Sequence, residues 1–302
     1  MRRKRKDFKM NDIYSIAGVT RQGHQQSIKR QEELDNKAVV YIGMMEKIRM
    51  DHPGMGLRLM YEQFSPEGIG RDAFINLGLL SGYRLQSYRN PVITTKSIKS
   101  NRYKNLLKDF KVTGINQLWV SDITYYTATE RHYYIVLIMD VYSRRIIGYS
   151  VSDNMKAENN LSALNMALAL RGIEDYLEQL IHHSDRGLQY VANQYTERLD
   201  SKNIRISMCT NVLENAHSER LNGTIKNDYL RRWQINLGKD LIASLPKAVA
   251  NYNNRNHRSL PKMSPEQFEY YLQTNKSDIE IPIYTITQTD LNNSQLKLNF
   301  SS

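Results

Sequence analysis

The sequence has very little cysteine, and this scarcity and several related absences exclude whole classes of protein. Cys209 is the single cysteine among 302 residues, so neither an internal disulfide framework nor a cysteine zinc cluster can form. No apolar run approaches the roughly 20 residues of a membrane-spanning helix, and no repeat occurs at solenoid periods. The basic start MRRKRKDFKM is not followed by an apolar signal-peptide segment. We therefore expect a cytoplasmic protein with no membrane partner.

Charge of one sign prevails. The chain carries 42 Lys and Arg against 31 Asp and Glu, a formal net charge of +11. Such an excess favours an anionic partner, most commonly nucleic acid, and would keep the protein on the nucleoid. A soluble protein that is merely basic fits the composition equally well. The length is enough for two or three domains with a real core.

Residues 1–90 have the pattern of an all-α region. Four helices are predicted: Met10–Ala17, a long polar helix from an N-cap at Thr20 to about Met50, Leu57–Phe64 and Arg71–Leu80. Short helices joined by tight turns are typical of helix-turn-helix DNA-binding regions. A plain helical bundle is the alternative.

Residues 91–116 are predicted to be a basic linker. Between positions 89 and 111 there are seven basic residues and one acidic residue, Asp109. They are Arg89, Lys96, Lys99, Arg102, Lys104, Lys108 and Lys111. A strip of this kind can lie along phosphates, or it can be a solvated tether.

Residues 117–273 indicate an α/β domain. Five segments rich in β-branched and aromatic residues predict strands: QLWVSDITYYT, HYYIVLIMDVYS, RRIIGYSVSD, QLIHHSD and IRISMC. The first three are joined by short turns and are expected to be antiparallel, and helices alternate with the later ones. This order describes a mixed five-stranded sheet flanked by helices. Residues 239–273 are helical, with a break at Asn253–Arg258, and residues 274–302 form a polar tail.

Two aspartates occupy notable positions in these strands. Asp122 lies inside the first strand, where aspartate is disfavoured, so either a metal or an outward-facing solvated side chain explains it. Asp185 follows the fourth strand in HHSDRGLQY, at the strand end where ligands gather in open α/β sheets. Ordinary turn chemistry of Asp-Arg-Gly is the alternative.

A third acid, Glu219, lies in the first turn of the helix predicted from ENAHSERLNGTIKNDYL. An acid there also complements the helix dipole without any catalytic role. The apolar stripe predicted to pack on the sheet consists of Leu221, Ile225 and Tyr229. The polar stripe consists of Glu219, Asn222, Gly223 and Lys226, where Gly223 would let a backbone approach closely and Lys226 would meet a phosphate.

Together the three acids describe carboxylates from two strands and one helix meeting at one edge of a sheet. Phosphodiester chemistry uses such clusters, because two Mg²⁺ ions about 3.5–4 Å apart clamp the attacking and leaving oxygens. Mg²⁺ prefers a few carboxylates together with water and phosphate oxygens. The pattern therefore predicts a metal-dependent phosphodiester site at Asp122, Asp185 and Glu219.

Four motifs in this order resemble the integrase core of OrfB-type insertion-sequence transposases. They are NQLWVSDITYY, HHSDRGLQY, ENAHSERLNGTIK and YNNRNHRSLPKMSPEQF. That family is related to retroviral integrases and has a ribonuclease H-like fold. The resemblance covers about residues 40–270, and DHPGMGLRLMYEQF is similar to the helix-turn-helix region upstream of the core.

The resemblance implies a DDE triad made of Asp122, Asp185 and Glu219. It implies Mg²⁺ or Mn²⁺, two ions with DNA bound, and nicking at the element's ends followed by attack of the freed 3′-OH on another phosphodiester. No covalent protein–DNA intermediate is expected. The implied partners are terminal inverted repeats, target DNA, other copies of the chain, and an upstream-frame DNA-binding protein or fusion.

Several further residues are predicted to contact DNA. This set comprises Arg186, Gln189, Asn222, Lys226, Arg255, His257 and Arg258, for which capped turns, solvated side chains or a charged helix end are the alternatives. His183 either touches DNA, orders the site or is structural. Trp119 and Tyr125 are expected to pack in the core.

The sequence departs from the family pattern before the third acid. Only 33 residues, 186–218, separate Asp185 from Glu219, slightly fewer than is common in the family, and Cys209–Leu213 would carry the deletion. The motif reads Glu-Asn-Ala at residues 214–216, where many relatives have Asp-Asn-Ala. Glu214 is a rival to Glu219, but it precedes the expected N-cap Asn215.

Two other functions remain open from the sequence. A transposase-derived regulator would bind DNA without cutting it, although such a descendant is free to lose an acid and all three are present. A ribonuclease H-like nuclease would cut without joining, but it has no need of a site-specific helical anchor.

Overall fold

The computed structural model describes residues 10–88, 102–108, 110–129, 131–209, 216–274 and 284–285. The chain divides into two units. The first comprises residues 1–50 and 56–85, and the second comprises residues 51–55 and 86–302. No helix in the described ranges is both long enough and apolar enough to cross a membrane.

The first unit is helical, as predicted. It contains α1 (Met10–Ile16), α2 (Arg21–Asp51, whose last residue belongs to the second unit), α3 (Leu57–Phe64) and α4 (Arg71–Leu80). The Thr20 hydroxyl accepts a hydrogen bond from the Gly23 amide at 3.0 Å, which confirms the predicted N-cap of α2. Phe74 and Met60 are fully buried, so α3 and α4 are held by an apolar core of their own.

The second unit is built on the mixed five-stranded sheet that the sequence predicts. Its strands are β2 (Leu118–Ala128), β3 (Arg131–Asp140), β4 (Ile146–Ser152), β5 (Ile181–Ser184) and β6 (Arg205–Met208), in the order β4-β3-β2-β5-β6. β4, β3 and β2 are antiparallel, whereas β5 is parallel to both β2 and β6. This is the ribonuclease H-like arrangement.

Helices cover both faces of the sheet. Trp119 and Ile138 face α5 (Ala157–Arg171) and α6 (Asn193–Asp200). Leu118 and Val120 face the other way. That second face is covered by α7 (Ala216–Thr224), the π-helical segment Ile225–Leu230 that continues it, α8 (Gly238–Asn253) and α9 (Pro265–Thr274). Trp119 is fully buried, which confirms its predicted place in the core.

Part of the predicted linker packs on the core. Leu107 and Val112 are buried in the apolar cluster under α7 and α8, and the Leu106 amide donates to Ser207 Oγ at 2.9 Å. β1 (Lys111–Val112) pairs with β7 (Tyr284–Thr285), which lies in the predicted tail. Leu107 and Val112 do not belong to a solvated tether, because their side chains pack in the apolar cluster on the second face of the sheet. Residues 89–101 and the rest of the tail lie outside the described residues.

A buried ion cluster fastens α9 to the sheet. The Glu269 carboxylate accepts from Arg171 Nη2 at 2.7 Å, from Arg145 Nη1 at 2.7 Å and from Ser143 Oγ at 2.6 Å. The Glu269 and Arg171 side chains are only 2% and 7% exposed. Burial opposes ionisation, but these hydrogen bonds and positive charges lower the pKa of Glu269 below its usual value.

Candidate active site

The two aspartates lie side by side where the parallel part of the sheet ends. The ladder between β2 and β5 ends with Ser121 opposite Ser184. Asp122 is the next residue after Ser121, and Asp185 is the next residue after Ser184. Neighbouring strands lie about 4.8 Å apart. Their carboxylates therefore share one edge of the sheet, next to the part of β2 that continues beyond the end of β5.

The third acid lies on the same face because α7 runs along β2. Asn222 Nδ2 donates to Asp122 Oδ2 at 2.8 Å, and one turn later Lys226 Nζ donates to Thr124 Oγ1 at 2.7 Å. Four helical residues advance about 6 Å and two strand residues about 6.7 Å, so the two elements stay in step. Glu219 precedes Asn222 by three residues and thus lies one turn earlier on that face.

Burial of Asp122 and its closeness to the other two acids are the main electrostatic features of this edge. Burial, followed by the negative charges of Asp185 and Glu219, raises the pKa of Asp122 to about 8. The Ile123 amide and the charge of Lys226 act in the opposite direction. Partial desolvation also raises the pKa of Glu219, although much of that residue is exposed. A bound divalent cation would stabilise the ionised carboxylates and so oppose these increases in pKa.

The three carboxylates are neighbours but are not yet arranged as ligands of one ion. Within the parts of the chain that the structure describes, no three His, Cys, Asp or Glu side chains are close enough to hold a metal as they stand. Sharing an ion would require them to draw closer together. An open groove of about 530 Å³ lies along the helix and includes Glu219 but not the two aspartates. It is lined by Ala216, Glu219, Arg220, Gly223, Thr224, Asn227 and Asp228.

Asp185 begins a tight turn that orients its neighbours. Its Oδ1 accepts from the Gly187 amide at 3.0 Å. Arg186 Nε donates to the Cys209 carbonyl at 2.9 Å, and Gln189 Nε2 donates to the Met155 carbonyl at 3.1 Å. These two side chains therefore flank the aspartate with polar atoms that already have protein partners.

Two members of the predicted polar stripe have roles other than those expected. Asn222 is buried, 4% exposed, and its amide is used to hold Asp122, so we replace its predicted DNA contact by a positioning role. A Cβ at Gly223 would meet nothing within 4 Å among the described residues, so no contact in this part of the protein requires glycine there. The apolar stripe is confirmed, since Leu221, Ile225 and Tyr229 are buried in the core.

Three residues after α8, Arg255, His257 and Arg258, were predicted to contact DNA. The side chain of Arg258 is exposed, whereas those of Arg255 and His257 pack against other residues of the protein. Arg255, with a side chain 12% exposed, lies against the Tyr229 and Tyr252 rings and pairs with Asp228 at 3.0 Å. It is therefore removed from the set of proposed DNA contacts.

His257 is also removed from that set, and Arg258 remains in it. Burial, then the charges of Arg144 and Arg255, lowers the pKa of His257 to about 4. Its imidazole is therefore neutral at physiological pH, and it offers phosphate no charge. Arg258 is exposed, so this prediction is retained.

His183 is a structural residue. It is fully buried, and its Nδ1 lies 2.9 Å from Ser207 Oγ. Burial, with help from His182, lowers its pKa to about 3, so the ring is neutral. Of its three possible roles, contact with DNA is thus excluded in this arrangement. Tyr125 is only half-buried, and its ring lies against His132 and 5.4 Å from Lys226 Nζ.

Two predictions fall outside the described residues, and two partners in the site were missed from the sequence. Glu214 and Asn215 lie in the undescribed stretch 210–215. The missed partners are Thr124, which accepts from Lys226, and the Ile123 amide, which bonds to Asp122. The signal for Thr124 was strand alternation, which puts it on the same face as Asp122.

Comparison with known proteins finds a matching family and similar solved structures. The integrase core domain family matches residues 97–211, a range that contains Asp122 and Asp185 but not Glu219. The catalytic core of HTLV-2 integrase, solved with magnesium in a trimeric form, is 22% identical over 54% of this chain and 98% of that chain, with a TM-score of 0.41.

Two relatives from Shigella sonnei cover most of the chain. An uncharacterised 31 kDa protein of insertion element IS600 is 30% identical over 267 residues, 84% of this chain and 96% of the relative. A transposase of insertion sequence element IS629 is 31% identical over 68% of this chain and 70% of the relative. The chain therefore belongs to the insertion-sequence transposases with an integrase core, and it is an enzyme of DNA transposition.

Proposed function

We propose that Asp122, Asp185 and Glu219 are the catalytic triad of this transposase and that they hold its divalent metal. The observation that carries the proposal is convergence. Acids separated by 62 and 33 residues in the chain come together at one edge of the sheet, where burial and the charges of Asp185 and Glu219 raise the pKa of Asp122. A carboxyl group whose pKa is raised by burial and by neighbouring acids is a typical sign of a functional site.

The residues present fit Mg²⁺ or Mn²⁺. All three proposed ligands offer hard oxygen atoms, which these ions prefer. The Asn222 amide fixes the orientation of the Asp122 carboxylate, as outer-shell partners do at many metal sites. A bound ion would stabilise charge on the attacking and leaving oxygens of the phosphodiester, and two ions per site are part of the proposal.

The reaction proposed is nicking at the ends of the element followed by joining of the freed 3′-OH to target DNA. Lys226, held by Thr124 beside the acids, would contact a phosphate near the scissile bond. Arg186, Gln189 and Arg258 would contact DNA further out. The helical residues 1–90 would bind the terminal inverted repeats, residues 91–116 would lie along phosphates, and the catalytic core would extend over residues 117–273.

We further propose that two or more copies act together on DNA in the cytoplasm, because both ends of an element must be cut and joined. An upstream-frame DNA-binding partner or fusion would complete the assembly.

The experiment that tests the proposal is a cleavage and joining reaction with a supercoiled plasmid carrying both ends of the element. We expect nicked and joined products with Mg²⁺ or Mn²⁺ and none with a chelator. Binding without any cleavage would favour the inactive regulator, and nicks without joined products would favour a simple nuclease.

Replacing Asn222 by alanine is expected to weaken metal use more than DNA binding. Without the amide that holds Asp122, the Mg²⁺ concentration for half-maximal cleavage should rise about 10-fold to 100-fold. A titration of the initial cleavage rate with Mg²⁺ measures this. Asn165→Ala, which removes an exposed amide on α5, is the control. An unchanged metal requirement in Asn222→Ala would contradict the positioning role.

Replacing Arg258 by alanine is expected to weaken binding of any DNA sequence to a similar extent. If Arg258 contacts one phosphate, the slope of log Kd against log salt should fall by about 1. Arg198→Ala removes an equal charge from α6 on the opposite sheet face and should leave the slope unchanged. Equal slopes for wild type and Arg258→Ala would remove this residue from the interface.

A further inference from the structure

The segment between α2 and α3 folds into a tight turn that belongs to the second unit. The Met55 amide donates to the His52 carbonyl at 3.0 Å, with Pro53 and Gly54 at the two central positions, as in a β-turn. His52 and Gly54 are buried. The turn therefore packs into its surroundings rather than passing through solvent as an ordinary connection does.

Gly54 is required at this turn for space and not for backbone conformation. It is not among the glycines with positive φ. A Cβ at Gly54 would overlap Cα and Cβ of Asp228 and lie 2.6 Å from its Cγ. Because the Asp228 backbone is part of this overlap, no side-chain rotation relieves it. The turn thus lies directly against the π-helical segment Ile225–Leu230.

Other contacts fasten the turn to the same region. Asn251 Nδ2, on α8, donates to the Asp51 carbonyl at 2.6 Å, and Lys247 Nζ lies 3.1 Å from the Asp51 carboxylate. His52 Nδ1 lies 3.4 Å from Tyr229 Oη. The turn is therefore fixed on one side by α8 and on the other by the π-helical segment.

The π-helical segment sets the rotation of the helix that carries Glu219. The Arg231 amide bonds to the Lys226 carbonyl, five residues back, at 2.9 Å. Conversion of such a segment to α-helix would turn the preceding residues by about 100° relative to the following ones. Leu221, before the segment, and Tyr229, within it, are both buried in the core, so the π-helical register is what lets both pack there while the polar face of α7 lies along β2.

We propose that the turn His52–Met55 holds Ile225–Leu230 in π-helical register. In this way the turn helps to position the residues that carry out the reaction. In that register Glu219 and Asn222 face Asp122. Gly54 is then a positioning residue, 165 positions before the helical acid in the chain. The catalytic consequence rests on the proposed function, whereas the structural consequence does not.

The test compares Gly54→Ala with Gly56→Ala in the full chain. A Cβ at Gly56 would meet nothing within 4 Å, and its φ of −72° suits any residue, so it is a matched control two residues away. In Gly54→Ala we expect faster amide hydrogen exchange across Ile225–Leu230 and a loss of about 10-fold to 100-fold in the cleavage rate. Affinity for the plasmid carrying the element's ends should stay near wild type. Gly56→Ala should match wild type throughout.

Asn251→Ala provides a second variant should Gly54→Ala fail to fold. It loosens the turn without steric overlap and should produce the same two changes to a smaller extent. Wild-type exchange at Ile225–Leu230 in the folded variant would overturn the proposal, as would wild-type cleavage. If the wild-type chain cleaves no DNA, the proposed function fails, and the exchange measurement alone decides whether the turn holds the segment.

Discussion

Asp122→Asn is expected to lower cleavage and strand transfer by at least about 10³-fold, on the order of 4 kcal/mol of transition-state stabilisation. The substitution keeps size and shape but removes the charge that would bind the metal. DNA affinity should stay near wild type, because the substitution keeps the size and shape of the side chain. Single-turnover rates with labelled element ends, together with a binding titration, measure both quantities.

The control for this substitution is Asp200→Asn. Asp200 is exposed at the end of α6 on the opposite sheet face, so the same chemical change there should leave both rates intact. If Asp122→Asn cleaved at the wild-type rate while folded, the assignment of the triad would be wrong, whatever happened to DNA binding.

Glu269→Ala is expected to lower the free energy of unfolding of the second unit by about 3–5 kcal/mol. The reason is that Arg171, with a side chain only 7% exposed, would be left without its main counter-charge. Both tryptophans, Trp119 and Trp233, lie in this unit. Denaturant unfolding followed by tryptophan fluorescence therefore reports the loss directly.

Glu266→Ala is the matched comparison for this stability prediction. Glu266 also pairs with Arg145, at 3.3 Å, but its side chain is 36% exposed. Exposed pairs contribute about 0–1 kcal/mol, so this variant should unfold close to wild type. Equal losses in the two variants would show that burial of the ion cluster does not determine its contribution.

The strands and helices of this chain were predictable because their apolar patterns are regular. α3 and α4 begin and end at the predicted residues. All five strands were found, although β2 ends one residue after its predicted segment, at Ala128, and β3 begins one residue before its own, at Arg131. The β1–β7 pairing was not predicted because it joins residues more than 170 positions apart, and no local pattern encodes such a pairing. The π-helical register was also beyond the sequence, since packing selects it rather than local propensity.

The site was predictable in outline and less so in detail. Motif order singled out three acids that the structure brings to one edge of the sheet, and periodicity correctly assigned Leu221 to the core. Side-chain partners were another matter. Arg255 and His257 look like exposed cations in the sequence. Arg255 is instead largely buried and paired with Asp228, and His257 is neutral. Long-range packing decides such pairings, and composition around a residue does not reveal it.

The most direct test of the central claim is to locate Mn²⁺ by its anomalous scattering in crystals of the protein bound to its element ends. We predict manganese at the edge of β2, coordinated by carboxylate oxygens of Asp122 and Asp185 with Glu219 drawn in beside them. Manganese bound elsewhere in a cleavage-competent complex, with these carboxylates unligated, would contradict the account.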